Sequence, residues 1–367
     1  MKIYDDNQLD YCDVLLCPQE SSIYSRSEVQ VLRDYSFKWY PHVITATGLV
    51  AANMATTGTF ETARAMQKQH LMCALHKHYS TKELISFLTQ NKEEFSSNDL
   101  LFITSGVSDN DFDKLSAVMK TGLIENICID VANGYTPCLI EYVRKVRAAW
   151  PKSLIMAGNV VTGDRCKEIV QSGADIVKVG IGPGSVCTTR KLTGVGRPQF
   201  STVVECATAV HEAGGLLCAD GGCTVPGDIC KSLCAGADFV MLGGMLAGHE
   251  ESGGDLCSKS FQTNEVENTS QDTRALRVEE KQFKTFYGMS STYAQEKFYG
   301  GLKKYRAGEG KVVELPFRGP LEPTLLNILG GLRSCMTYIG ASRLQDMPSH
   351  AVFYRVSRQL NTVFGNE

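Results

Sequence analysis

Eight short apolar runs, most of them followed by a helix-compatible stretch, constrain what this chain can fold into more than any single motif does. They are Leu49 to Ala52, Met72 to Leu75, Leu101 to Thr104, Ile127 to Asp130, Leu154 to Ala157, Ile176 to Val179, Leu216 to Ala219 and Phe239 to Leu242. Runs that are apolar on both faces read as strands covered on both sides. Segments such as Thr59 to Gln69, Pro137 to Ala149, Asp164 to Ser172 and Thr202 to Ala213 would supply the covering helices. Eight such units predict an α/β fold, a closed (β/α)₈ TIM barrel.

The placement of polar residues supports this more than the count does. The runs end in Asn53-Met54, His76-Lys77-His78, Ser105-Gly106, Asp130 with Asn133-Gly134, Gly158-Asn159, the loop Gly180 to Arg190, Asp220-Gly221-Gly222 and Gly243-Gly244. In a barrel all of these share one rim, where side chains from several strands converge. A doubly wound open sheet would instead gather ligand residues at one switch point. The 367 residues suit a single domain, 1–367, with an N-terminal cap over 1–45 and a polar excursion over about 250–282 that lacks the apolar content to build a core.

A net charge of −3 gives no general attraction to nucleic acid or to an anionic membrane, so small-molecule chemistry fits better. No run approaches the roughly 18 apolar residues of a membrane helix. The fourteen cysteines are scattered without a C-x-x-C pair, and Met1 to Asp10 is polar, which points to a reducing, cytoplasmic setting. Cys230 and Cys234 sit one helical turn apart and, without partners at zinc spacing, read as packing residues. His76 and His78 likewise lack a third ligand in register and read as strand-end residues, one in and one out.

The loop after the sixth run, Gly180-Ile181-Gly182-Pro183-Gly184-Ser185-Val186-Cys187-Thr188-Thr189-Arg190, carries the chemistry. Its glycines and proline allow a tight turn that delivers Cys187 to the tip as a candidate nucleophile. Arg190 and unpaired loop N–H groups would favour the thiolate. A dinucleotide fingerprint fails here, because the glycines read G-x-G-x-G with Pro183 between. The Gly-Lys-Ser/Thr ending of a P-loop is missing too. A buried packing thiol is the plain alternative.

Taken whole, this loop resembles the catalytic loop of the IMP dehydrogenase/GMP reductase family, on its GMP-reducing side. Further blocks agree, among them His76-Lys77-His78-Tyr79, Asp130-Val131-Ala132-Asn133-Gly134-Tyr135, Asp220-Gly221-Gly222-Cys223-Thr224, Phe286-Tyr287-Gly288-Met289-Ser290-Ser291 and Gly330-Gly331-Leu332-Arg333-Ser334. The likeness runs from about Asp10 to Gly365. It implies NADPH-dependent reduction of GMP, with Cys187 as nucleophile and Thr189 with Glu309 relaying a proton. It assigns the nucleotide to Asp220, Gly221, Gly222, Gly243, Gly244, Gly288, Met289 and Ser290, and to Arg306, Ala307, Gly308 and Gly310 closing over the purine.

For the nicotinamide cofactor the resemblance implies Lys77, Asp130, Val131, Ala132, Ile181, Gly182 and Ser334, Cys335, Met336, Thr337, with Ser25 and Arg26 supplied by a neighbouring subunit of a homotetramer. It implies potassium at Gly182, Gly184, Cys187 and Arg190. No regulatory CBS pair interrupts the barrel. Three positions depart from the family pattern, Ala55, Arg197 and Ala219, the first putting a contact to base or cofactor in doubt. IMP dehydrogenase is the nearest rival, but its water-activating Arg-Tyr pair occurs here only reversed, as Tyr305-Arg306. A non-catalytic purine-nucleotide sensor on the same barrel is the alternative from another class, and it would need no thiol.

Overall fold

The eight runs close on themselves. The structure, a computed structural model, describes residues 1, 3–4, 6–95, 100–268 and 274–357. Three short strands come first, β1 (Val14–Leu16), β2 (Arg33–Tyr35) and β3 (Ile44–Ala46). The barrel strands follow as β4 (Leu49–Ala51), β5 (Met72–Leu75), β6 (Leu101–Ser105), β7 (Asn126–Asp130), β8 (Leu154–Val160), β9 (Ile176–Val179), β10 (Leu216–Asp220) and β11 (Phe239–Leu242). All are parallel, and β11 returns to β4 in the register Val240 to Leu49, Met241 to Val50 and Leu242 to Ala51.

Alternation along each strand explains why both faces had to be apolar. Val50, Met72, Ala74, Phe102, Cys128, Met156, Cys218 and Met241 fill the barrel interior. Their neighbours Leu49, Cys73, Leu101, Ile127, Ile155, Val177, Leu217 and Val240 pack outward against the helices. The β2–β3 hairpin belongs to the inner cluster, stacking Tyr35 on Phe239 at 4.5 Å between ring centroids. The Tyr35 hydroxyl donates to the Asp238 carbonyl at 3.1 Å.

The covering helices are α1 (Phe60–Gln67), α2 (Thr81–Gln90), α3 (Asp109–Met119), α4 (Pro137–Ala149), α5 (Gly163–Gln171), the short α6 (Thr189–Thr193), α7 (Gln199–Glu212) and α8 (Pro226–Cys234). Local signals set their starts. Ser80 with Glu83, and Ser108 with Asp111, form capping boxes that satisfy orphan N–H groups of α2 and α3. No helix among the described residues is long and apolar enough to cross a membrane.

The stretch read as a coreless excursion has regular structure: it forms the antiparallel ribbon β12 (Leu256–Asn268) with β13 (Arg274–Tyr287), while Thr269, Ser270, Gln271 and Asp272 lie outside the described residues. A ribbon needs only its backbone ladder and an anchored base, not a core of its own. The base is supplied by Lys284, whose ammonium donates to the carbonyls of His249 at 2.8 Å and Glu250 at 3.0 Å, and by buried Phe286 and Tyr287. Then come α9 (Thr292–Tyr299), the strand β14 (Val312–Pro316) paired to β13, and α10 (Glu322–Ile339). The last helix begins five residues before the expected Asn327, with Pro323 in its first turn.

The histidine pair behaves as strand-end packing. His76 is buried and stacks on Tyr79 at 4.0 Å, and His78 stacks on Phe298 at 3.9 Å. No cluster of three or more His, Cys, Asp or Glu among the described residues could hold a metal ion. Burial pushes the imidazoles down to about 3 for His76 and about 4 for His78, with neighbouring positive charges adding to the effect. The unfolded chain therefore takes up protons first, and stability is expected to fall as the pH drops below about 6.5. For His76 the slope approaches about 1.4 kcal/mol per pH unit. Urea denaturation at stepped pH checks this, and His76→Gln should flatten the dependence.

Candidate active site

The β9 strand leads straight into the cysteine loop because Gly180 has no side chain. Its φ is +143°, and a Cβ there would lie 2.1 Å from the Asp220 carbonyl oxygen of β10. The loop then turns back, with the Cys187 N–H donating to the Gly184 carbonyl at 3.0 Å. Cys187 is half-buried, and its sulfur lies 3.3 Å from Thr189 Oγ1, which donates to Glu309 Oε2 at 2.7 Å. Residues 187, 189 and 309, far apart in sequence, thus form one connected relay.

Glu309 reaches this position through a close backbone approach. A Cβ on Gly288 would lie 3.0 Å from the Gly310 Cα and one on Gly310 3.1 Å from the Gly288 Cα, so a side chain at either position would crowd the facing backbone. The Lys311 N–H donates to the Val186 carbonyl at 2.8 Å, and the Gly288 N–H to the Lys311 carbonyl at 3.1 Å. The segment bearing Glu309 is therefore bonded directly to the loop that carries Cys187.

A cavity of about 250 Å³ opens on Cys187, Thr189 and Glu309. Asn53 and Met54 wall it from the end of β4, Asp130, Val131 and Ala132 from β7, Ile181 and Gly182 from β9, Asp220 from β10, and Gly288, Met289 and Ser290 from beyond the barrel. Val186 separates it from a larger cavity of about 650 Å³ that includes Ser185, Gly244, Phe286, Lys311 and Arg318.

Beneath the smaller cavity lies a charged group that reading the sequence missed. Lys178 of β9 is 1 % exposed, and its ammonium donates to Asp130 Oδ1 at 2.7 Å, Asp220 Oδ2 at 2.8 Å and the Asn159 side-chain oxygen. Asn159 donates in turn to the Gly180 carbonyl and to Asp220, each at 2.8 Å. Burial alone would push the Asp130 carboxyl up, but the Lys178 charge and hydrogen bond reverse this and hold it below its usual range. Burial likewise opposes the Lys178 charge, and Asp130 with Asp220 overcomes it, holding the ammonium well above its ordinary value. The signal was present in Ile176 to Val179, since a lysine inside a strand buried on both faces requires a partner.

Other expected residues fall elsewhere. Arg190 is held by other partners: its guanidinium pairs with Asp10 at 2.8 Å and donates to the Arg197 carbonyl at 2.5 Å. Gly221 backs onto Pro183 and Gly184, Gly222 onto Tyr11 and Gln199, and Gly243 onto Met54. Arg306 donates to Gln295 at 3.4 Å, and Arg306 and Ala307 are exposed while Gly308 sits against Thr292. Lys77 lines a separate small recess, although its charge helps to depress Asp130.

Ser334, Cys335, Met336 and Thr337 lie on α10, next to the N-terminal segment that carries Ser25 and Arg26. That segment is tied down where the Gln19 N–H donates to the Tyr338 carbonyl at 3.0 Å and Arg333 donates to the Val29 carbonyl at 2.9 Å. Neither group lines the cavity with Cys187. Of the departures, Ala55 packs with Tyr287 and Ala294, and Arg197 pairs with Glu205 at 2.5 Å.

With this geometry in hand, comparison with known proteins is decisive. The model described as "IMP dehydrogenase / GMP reductase domain" matches residues 8–361. The chain belongs to this family. It is 47% identical to GMP reductase of Shigella boydii serotype 18 over 367 residues, covering all of both chains. The same identity and coverage relate it to GMP reductases of Escherichia coli O139:H28 and of Escherichia coli strain K12 / DH10B. Membership explains why a barrel rim, a loop cysteine and a carboxylate from beyond the barrel occur together here.

Proposed function

We propose that this chain reduces GMP to IMP and ammonia with NADPH, as a single-domain enzyme of purine nucleotide interconversion. The observation that carries this reading is the relay from the Cys187 sulfur through Thr189 to Glu309. Binding alone would need no such set. Full-length 47% identity to proteins named GMP reductase supports the choice of substrate.

Guanine C2 carries an amino group that leaves poorly. The Cys187 sulfur adds at C2, and the Thr189 hydroxyl, backed by Glu309, delivers the proton that lets the nitrogen depart as ammonia. General acid help of this kind contributes about 10²- to 10⁴-fold. The thioimidate left on the purine is an electrophile at C2. NADPH, when bound, supplies the hydride that this carbon accepts, after which the sulfur is expelled and IMP is released. Asp220 holds the ribose hydroxyls. The phosphate runs past Val186 toward Ser185, Gly243 and Gly244, where Lys311 and Arg318 line the adjoining cavity.

Asp130, Val131, Ala132, Ile181 and Gly182 wall the same cavity as Cys187, which fits a flat nicotinamide laid against C2. Ser25, Arg26 and Ser334 to Thr337 lie apart from that cavity, and in our reading they serve the adenosine end of the cofactor in a neighbouring subunit of a cytoplasmic homotetramer. Potassium fits the donor chemistry of the loop, whose Gly182, Gly184, Cys187 and Arg190 carbonyls are hard oxygen ligands.

The test is spectrophotometric. Nicotinamide absorbance should fall with GMP plus NADPH, and should not rise with IMP plus NAD. The reverse pattern would make the chain a dehydrogenase, and no change in either assay would leave it a nucleotide sensor.

A further inference from the structure

Helix α6, which begins at Thr189, is too short to hold its own shape, since isolated helices need about 12–15 residues. Its second residue, Arg190, turns back into the loop that carries Cys187. A Cβ on Gly182 would lie 2.5 Å from the Arg190 Cγ and one on Gly196 2.6 Å from it, so the loop is folded around the arginine stem. The guanidinium donates to the Arg197 carbonyl, and the Arg197 N–H donates to the Ile181 carbonyl at 3.3 Å, which brings the two ends of the loop together. The carboxylate that meets this guanidinium comes from outside the loop.

That carboxylate is Asp10. It accepts from Arg190 through both oxygens, at 2.8 and 3.3 Å, a forked charge-assisted contact that fixes direction as well as distance. Asp10 Oδ1 also accepts from the Gln199 N–H at 2.6 Å, one of the orphan donors at the start of α7. The residues before it lie along the same seam. The Leu9 N–H donates to Ser201 Oγ at 2.8 Å, the Ser201 N–H returns to the Leu9 carbonyl at 3.0 Å, and Arg197 donates to the Gln8 side-chain oxygen at 2.8 Å. Behind the strap, Lys231 of α8 donates to the Tyr11 carbonyl at 2.9 Å. We propose that Asp10 is a positioning residue for the Cys187 loop, holding α6 so that the Thr189 hydroxyl stays within reach of both Glu309 and the sulfur. The proposal rests on the reading of that relay as catalytic.

The two ends of the relay are then secured by different means. Glu309 follows the main-chain bonds of Lys311 with Val186 and Gly288. Thr189 follows a half-buried ion pair between side chains, which one substitution in a remote segment can release. Most residues assigned to the nucleotide belong to β10, to the turn after β11 and to Gly288–Ser290, none of which the strap touches. Release of α6 therefore slows proton delivery more than it weakens GMP binding.

The experiment compares the full-length parent with Asp10→Ala, Asp10→Asn and Asp10→Glu. Without substrate, amide exchange followed by mass spectrometry should be about tenfold faster over residues 181–198 in Asp10→Ala, while peptides of β5 and β7 keep the parent rate. Iodoacetamide should alkylate Cys187 faster in the same variant. With GMP and saturating NADPH, kcat should fall about 10²-fold, the scale of a small misplacement at a reacting centre, while KM for GMP stays near the parent value. Asp10→Glu, which keeps the carboxylate, should recover most of both effects. If alanine unsettles the N-terminal segment, Asp10→Asn, with one acceptor oxygen and no charge, should still loosen the loop and lower kcat. Unchanged exchange and alkylation in Asp10→Ala, a raised KM at unchanged kcat, or Asp10→Glu as impaired as Asp10→Ala would each overturn the proposal. A parent chain that turns over no GMP would instead sink the proposed reaction, and exchange and alkylation would still decide whether Asp10 holds the loop.

Discussion

Cys187→Ala is expected to lose turnover of GMP by on the order of 10⁴- to 10⁶-fold, the scale seen when a nucleophile is deleted from a catalytic set that acts as a unit. The replacement removes only a half-buried sulfur at a loop tip, so GMP binding should persist and can be read by equilibrium dialysis. Substantial residual activity would rule out the covalent route. Glu309→Gln complements it: the hydrogen bond to Thr189 can survive, but the negative charge behind the relay is gone. Single-turnover kinetics should show ammonia release slowed by about 10²- to 10⁴-fold. An unchanged rate with poorer affinity would assign Glu309 to base recognition alone.

Lys178→Met should have the largest effect on stability. It leaves Asp130 and Asp220 beside one another without the ammonium that both accept from at 2.7–2.8 Å. Removing one partner of a buried ion pair costs about 3–5 kcal/mol. The pH dependence gives a second, distinguishing readout. In the parent chain Asp130 is held below its usual range, so its contribution is present above the ordinary carboxylate pKa and fades as the pH falls through the depressed value. Without Lys178, burial raises the carboxyl instead, and the variant should gain stability on acidification through that range. Urea midpoints at stepped pH measure both. A variant as stable as the parent, with an unchanged acid limb, would show that the cluster does not hold the barrel together.

The barrel was legible in the sequence because its strands are apolar on both faces, a pattern that few other arrangements satisfy. Met72–Leu75, Ile176–Val179 and Phe239–Leu242 match their expected bounds, and so does Pro137–Ala149. The ribbon over Leu256–Tyr287 was not legible, since a ladder of backbone hydrogen bonds leaves little trace in hydrophobicity. At the site, motif order singled out Cys187, Thr189 and Glu309, whose side chains lie in one hydrogen-bonded chain. Lys178 escaped because it sits in a motif's shadow, inside a strand read for its apolar neighbours. The ion pair of Arg190 with Asp10 was illegible for a related reason, since Asp10 is remote in sequence.

The tie between Lys311 and Val186 runs from amide to carbonyl and so is indifferent to the identity of either side chain. The separation of the Cys187 loop from the segment bearing Glu309 is consequently set by main-chain joinery, which tolerates replacement of the Lys311 or Val186 side chain but not crowding at Gly288 or Gly310, where backbone meets backbone.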